Sequence, residues 1–149
     1  MVEPEVLYDG SHSIEACASS TEKIYHVLFE ALDRHHVDLS AVILKTHMIT
    51  AGKESNQPSI SDISSHTHNI MQLVPKQIPL IVFLSGGHEE HTINQYLRQI
   101  VLDNQTSRLF SFSFGRALQQ SALSVWKTST EHSQNCLTQT LVHTCQSIS

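Results

Sequence analysis

Apolar residues along this chain fall into short runs, separated by longer stretches with helical spacing. Val2–Leu7 is a short strand candidate. Over Thr21–His35, Ile24, Val27, Leu28, Ala31 and Leu32 mark one face of a helix. Leu39–Leu44 reads as an apolar run of the kind that forms a strand buried on both faces. Ser59 is placed to cap a helix whose looser stripe is Ile60, Ile63, Ile70, Leu73 and Val74. Leu80–Ser85 predicts a third buried strand. His91–Asp103 follows, with Ile93, Tyr96, Leu97, Ile100 and Val101 on one face. Phe110–Phe114 alternates Phe and Ser as a fourth strand. Ala117–Lys127 and Cys136–Cys145 predict two closing helices.

Strands and helices thus alternate through four βα units. Repeats of this length imply a parallel sheet with right-handed crossovers, an α/β fold. Lys53–Ser65 is the most polar connector and the segment expected to move most.

Composition narrows the function classes. The chain has 149 residues, 40% hydrophobic and 15% charged, which suits one globular domain rather than a disordered segment. The 14 acidic against 9 basic side chains give a net charge of −5, against the basic face a nucleic-acid binder needs. The longest apolar run, Ile78–Leu84, contains Pro79 and falls far short of the about 20 residues that span a bilayer. Cys17, Cys136 and Cys145 are odd in number, without zinc-type spacing, which favours a reducing, cytoplasmic setting and buried thiols. The segment Met1–Glu5 has neither the basic nor the apolar stretch of a signal peptide.

Polar side chains gather where the expected strands end. Glu3 and Glu5, two apart, share one face of a strand. Lys45 ends the second strand, Ser85-Gly86-Gly87 the third and Gly115-Arg116 the fourth. The carboxyl ends of parallel strands are where α/β folds carry chemistry. A lysine projecting from apolar surroundings is disfavoured as an ammonium, and its neutral amine can attack a carbonyl to form a Schiff base. A carboxylate opposite could shuttle the protons that this condensation requires. Ser-Gly-Gly before a helix exposes backbone N–H groups to an anion, and Arg116 adds a fork-shaped phosphate donor. Taken singly, each is more often a solvated strand end or a plain turn. The histidine groupings His35-His36, His66-x-His68 and His88-x2-His91 lack the helical i, i+4 spacing of a zinc site, so surface histidines are the expectation.

Four stretches, in this order and separation, carry a more specific signal. Val2-Glu3-Pro4-Glu5, Leu44-Lys45 with Met48 and Thr50-Ala51-Gly52, Phe83-Leu84-Ser85-Gly86-Gly87, and Phe112 through Gln119 together resemble class I fructose-bisphosphate aldolase. Ser121-Ala122-Leu123 and Trp126 continue the similarity. The resemblance implies a TIM (βα)8-barrel family fold. It implies a lyase that reversibly cleaves fructose 1,6-bisphosphate into two triose phosphates, a step of glycolysis, with no metal or other cofactor. Lys45 matches the Schiff-base lysine, Glu3 the acid/base and Glu5 a supporting carboxylate. Ser85, Gly86, Gly115 and Arg116 match the cradle for the phosphate on C1. The substrate partner would be a phosphorylated sugar, with no nucleic acid or membrane involved.

The resemblance begins at the family's fifth strand, so residues 1–149 are expected to form one incomplete domain, a half barrel of four βα units. An Asp and two Lys that the family carries on earlier strands have no counterpart in this sequence. Thr46-His47 stands where the family usually has Pro-Asn, and His88 follows Ser-Gly-Gly where Gln-Ser is common. A half barrel exposes sheet edges, which points to a homo-oligomer or to association with aldolase subunits. Two functions follow: Schiff-base lyase chemistry, impaired in a chain of this length, or a non-catalytic module that binds phosphorylated ligands or full-length subunits.

Overall fold

The computed structural model describes residues 1–128 together with 138, 139, 142 and 146. Three short strands, β1 (Ile43–Thr46), β2 (Leu80–Phe83) and β3 (Leu109–Phe112), form a parallel sheet in that order. Helix α1 (Ile14–Arg34) precedes β1, and α2 (Ile60–Met71), α3 (Glu90–Leu102) and α4 (Arg116–Thr128) follow β1, β2 and β3. From α1 onward the alternating order is therefore as expected. The helix expected over Cys136–Cys145 lies outside the described residues, apart from positions 138, 139 and 142.

Register divides the sheet into two faces. Leu44 pairs with Ile81 and Ile81 with Phe110, while Thr46 pairs with Phe83 and Phe83 with Phe112. Leu44, Ile81 and Phe83 have no exposed surface and join the helices in one hydrophobic cluster, with Phe110 and Phe112 packed against it. On the other face lie Ile43, Leu80 and Leu109, then Lys45, Val82 and Ser111. That face is more open, and Leu109 is 65% exposed. β1 is thus buried on one face rather than both, and residues 39–41 form a 3-10 turn capped by Asp38 instead of continuing the strand.

The expected strand over Val2–Leu7 is reduced to a single bridge. Val2 pairs in parallel with Leu44, donating its N–H to the Ile43 carbonyl at 3.1 Å and accepting from the Lys45 N–H at 2.9 Å. Beyond Pro4, which has no N–H to donate, the segment is held by side chains rather than by a ladder.

Helix α1 starts seven residues before Thr21 because Ser13 caps it, accepting from the Ala16 N–H at 3.2 Å. Its fully buried positions are Ile14, Cys17, Thr21 and Tyr25, while Val27 is 68% exposed. Two of those positions carry hydroxyls, so counting apolar residues picked a neighbouring stripe. The helix ends at His36, whose φ of 53° allows the Val37 N–H to reach the Leu32 carbonyl and the His36 N–H to reach that of Asp33. Ser59 caps α2 as expected, accepting from the Asp62 N–H at 3.1 Å.

The polar connector after β1 is tied down at its start. Gly52, Lys53 and Glu54 donate their N–H groups to the carbonyls of His12, Tyr8 and Gly10, at 2.9, 2.8 and 2.9 Å. Ser55 Oγ adds a bond to the His12 carbonyl at 3.1 Å. The expectation of a mobile loop over Lys53–Ser65 gives way to a segment latched to residues 8–12, followed by the first turns of α2.

Candidate active site at the strand carboxyl ends

Lys45 lies on the open face of β1, and its Nζ is 3.0 Å from Glu3 Oε2. The lysine side chain keeps 20% of its surface and the glutamate 51%, so the pair stands at a mouth rather than in the core. The bridge at Val2 makes the pairing possible, because it sets Glu3 alongside the end of β1. Glu5 follows two residues later with the same exposed alternation. Its Oε1 lies over the turn that follows β2: a Cβ added to Gly86 would sit 3.8 Å from it. The two carboxylates are thus divided, one on the lysine and one beside the glycine turn.

That turn runs from Ser85 to His88, closed by the His88 N–H on the Ser85 carbonyl at 3.0 Å. Gly86 and Gly87 take φ of +57° and +92°, left-handed values that L side chains avoid and that match a type I′ turn. Ser85 itself is buried. Arg116 opens α4 just after β3, and its guanidinium lies against the turn: a Cβ on Gly87 would sit 3.8 Å from Nη2. Gly115 has open space around it. The glycine turn, a buried serine and a guanidinium therefore converge, and a phosphate is the group such donors suit.

Two residues that the apolar pattern could not assign hold the N-terminal segment in place. The Val6 N–H donates to His47 Nδ1 at 3.3 Å, and His47 Nε2 is 3.0 Å from Thr21 Oγ1. Thr46 Oγ1 accepts from the Tyr25 hydroxyl at 2.9 Å and donates to the Pro4 carbonyl at 3.4 Å. Burial pushes His47 down to about 4, partly offset by the nearby Pro4 carbonyl. Its imidazole is neutral at physiological pH. The same desolvation raises the Tyr25 hydroxyl and the Cys17 thiol, so Cys17 is the buried, unreactive thiol expected. Cys136 and Cys145 lie outside the described residues.

His88 is the second histidine drawn inward. It stacks on Tyr8 with ring centroids 3.7 Å apart, meets Tyr96 edge-on at 5.7 Å, and places Nε2 3.4 Å from Thr50 Oγ1. Desolvation lowers it to about 4. His47 and His88 thus depart from the expectation of surface histidines, whereas His35, His36 and His91 are exposed. His66 and His68 are engaged with the carbonyls of Asp62 and Ile100, both at 2.9 Å.

Comparison with known proteins identifies the family. A family model, the glycolytic class-I fructose-bisphosphate aldolase, matches residues 1–149. The chain is 44% identical over 128 residues to cytosolic fructose-bisphosphate aldolase 6 of Arabidopsis thaliana, covering 85% of this chain and 36% of that protein. It is 42% identical over 134 residues to the cytoplasmic isozyme 2 of Pisum sativum, covering 89% and 37%. The chain spans less than two-fifths of the length of these relatives. A solved structure of the aldolase from Plasmodium falciparum, in complex with TRAP and a small-molecule inhibitor, superposes with a TM-score of 0.90 at 36% identity. The superposition covers 98% of this chain and 42% of that one. The parallel sheet and its helices are therefore part of a TIM-barrel fold. A match from end to end, with relatives above 40% identity, places the chain in the class-I fructose-bisphosphate aldolase family.

Proposed function

We propose that this chain carries the Schiff-base portion of a fructose-bisphosphate aldolase site. The observation that carries the proposal is the Lys45–Glu3 pair at 3.0 Å, at the carboxyl end of a parallel strand. In this reading the Lys45 amine adds to the C2 carbonyl of a phosphorylated ketose. Glu3 protonates the departing hydroxyl and water leaves, giving an iminium. A carboxylate that the family carries on an earlier strand, without a counterpart in this sequence, takes the C4 hydroxyl proton as the iminium accepts the electron pair of the breaking C3–C4 bond, so an aldehyde departs and an enamine remains. Protonation and hydrolysis then return the amine. Glu5, beside Gly86, supports the polar lining, while Ser85, Gly86, Gly115 and Arg116 receive the C1 phosphate. Residues 1–149 act as the C-terminal half of the barrel, in the cytoplasm, as the names of the relatives suggest.

Borohydride trapping with dihydroxyacetone phosphate tests the reading. Reduction should fix one three-carbon adduct on Lys45, found by peptide mass spectrometry and absent from Lys45→Arg. Folded protein that takes no label on Lys45 would remove the catalytic role.

One observation favours a second reading. The sheet face that bears Lys45 also exposes Leu109 at 65%, and nothing among the described residues covers it. Such an apolar row favours a module that associates with itself or with full-length aldolase subunits. Sedimentation of the chain alone and capture of purified aldolase subunits, with no Lys45 adduct, would select it.

A further inference from the structure

At the opposite end of the sheet, where β2 and β3 begin, a cavity of about 840 Å³ opens between the last turns of α2 and the loop before β3. Its size falls within the about 300–1,000 Å³ typical of small-molecule sites. Ile78, Pro79 and Phe110 supply apolar wall, and Lys76 and Arg108 supply charge, while among the described residues no Asp or Glu lines it. Asp103, which interacts with His68 on the wall, is committed elsewhere. It accepts from Ser64 Oγ at 2.6 Å and from Gln99 Nε2 at 2.9 Å.

Arg108 is held ready rather than spent. Its Nη2 donates to the Val74 carbonyl at 2.9 Å, which fixes the guanidinium plane. Thr106 Oγ1 and Asn104 Nδ2 hold its backbone, at 3.3 and 3.0 Å. Its Nη1, by contrast, is buried with no acceptor among the described residues. A buried guanidinium donor left unmatched is costly, and an oxyanion is the acceptor with the geometry to relieve it. Arg108 as a whole is only half-buried and lines the cavity, so its guanidinium is the cationic fork an oxyanion bound there would meet.

We propose that this cavity binds a phosphomonoester, its phosphate held by Arg108 and Lys76 and its organic part against Ile78, Pro79 and Phe110. The site is separate from the Ser85–Gly87 and Arg116 cradle, which follows the carboxyl ends of the same strands. Phenyl phosphate is the probe, titrated calorimetrically into the full chain carrying Arg116→Ala so that the cradle is disabled. One equivalent should still bind. Adding Lys76→Glu, an exposed position whose change leaves the core intact, should weaken it about tenfold or more. Arg108→Lys, which keeps the charge but loses the fork, should weaken it as well. Loss of all binding in Arg116→Ala alone would overturn the proposal. So would retained binding that neither further variant changes. Borohydride labelling of Lys45, run on the chain with Arg116 intact, tests the proposed function separately from this cavity.

Discussion

The Val6 N–H points at Nδ1 of His47, 3.3 Å away. Because that nitrogen accepts, the ring proton sits on Nε2 and faces Thr21 Oγ1 at 3.0 Å, whose own hydroxyl donates to the Cys17 carbonyl at 2.8 Å. One neutral imidazole thereby joins the carboxylate-bearing segment to α1. His47→Ala leaves the Val6 N–H without an acceptor and a void beside Thr21, whose hydroxyl keeps only its bond to the Cys17 carbonyl, and should cost about 2–4 kcal/mol. Urea unfolding measures the loss, and faster hydrogen exchange at Val6 localises it. His47→Asn keeps an acceptor and should recover part of the loss; a deficit equal to that of alanine would refute the hydrogen-bond account.

Acid should destabilise the fold earlier than its carboxylates alone would require. His47 is lowered from 6.5 to about 4 by burial, so across that window the unfolded chain binds a proton that the folded chain refuses. Stability is full above about pH 6.5 and falls as pH drops toward 4, by about 1.4 kcal/mol per unit at most for one such group. His88, also lowered to about 4, acts in the same direction. Urea midpoints between pH 7 and pH 4 should show the slope, and His47→Asn should reduce it to the share of His88. A flat wild-type profile would contradict the burial of both rings.

Gly52 and Gly115 should respond oppositely to alanine. A Cβ on Gly52 would run into the Gly10 carbonyl, in the latch that joins residues 52–54 to residues 8–12. Backbone cannot yield cheaply there, so Gly52→Ala should cost about 1–3 kcal/mol. Gly115 has nothing within 4 Å of an added Cβ, and Gly115→Ala should stay within about 0.5 kcal/mol. Thermal unfolding of the two variants compares them directly, and equal losses would rule out the latch.

The two glutamates should separate kinetically. Glu3 Oε2 touches Lys45 Nζ, whereas Glu5 lies beside Gly86. Glu3→Gln should slow borohydride trapping by about 100-fold or more, as expected when a general acid or base is removed. Glu5→Gln should do less. Time courses of Lys45 labelling discriminate the two, and a larger effect at Glu5 would reverse the assignment.

Much of the architecture was readable from apolar spacing, because Ile63, Ile70, Ile93, Leu97 and Ile100 face the core where their spacing placed them. Lys45 and Ser85 could be picked out because each directly follows an apolar run, and Arg116 because it comes one glycine after the alternating Phe–Ser stretch. The polar interior could not be read this way. Thr21, Tyr25, Thr46 and His47 are buried because they satisfy one another, a condition that hydropathy does not register. Val2–Leu7 misled for a related reason: its alternation persists, yet Pro4 and the side-chain anchors replace the ladder of a strand.

The bridge at Val2 makes the chemistry of this segment a matter of odd and even. With Val2 opposite Leu44, residues 3 and 5 share the parity that turns them away from the helices. A slip of one residue would send both acids toward the apolar layer and set Pro4 beside the amine. Two backbone bonds at Val2 and two side-chain anchors at Pro4 and Val6 therefore act as a key that admits only one reading frame.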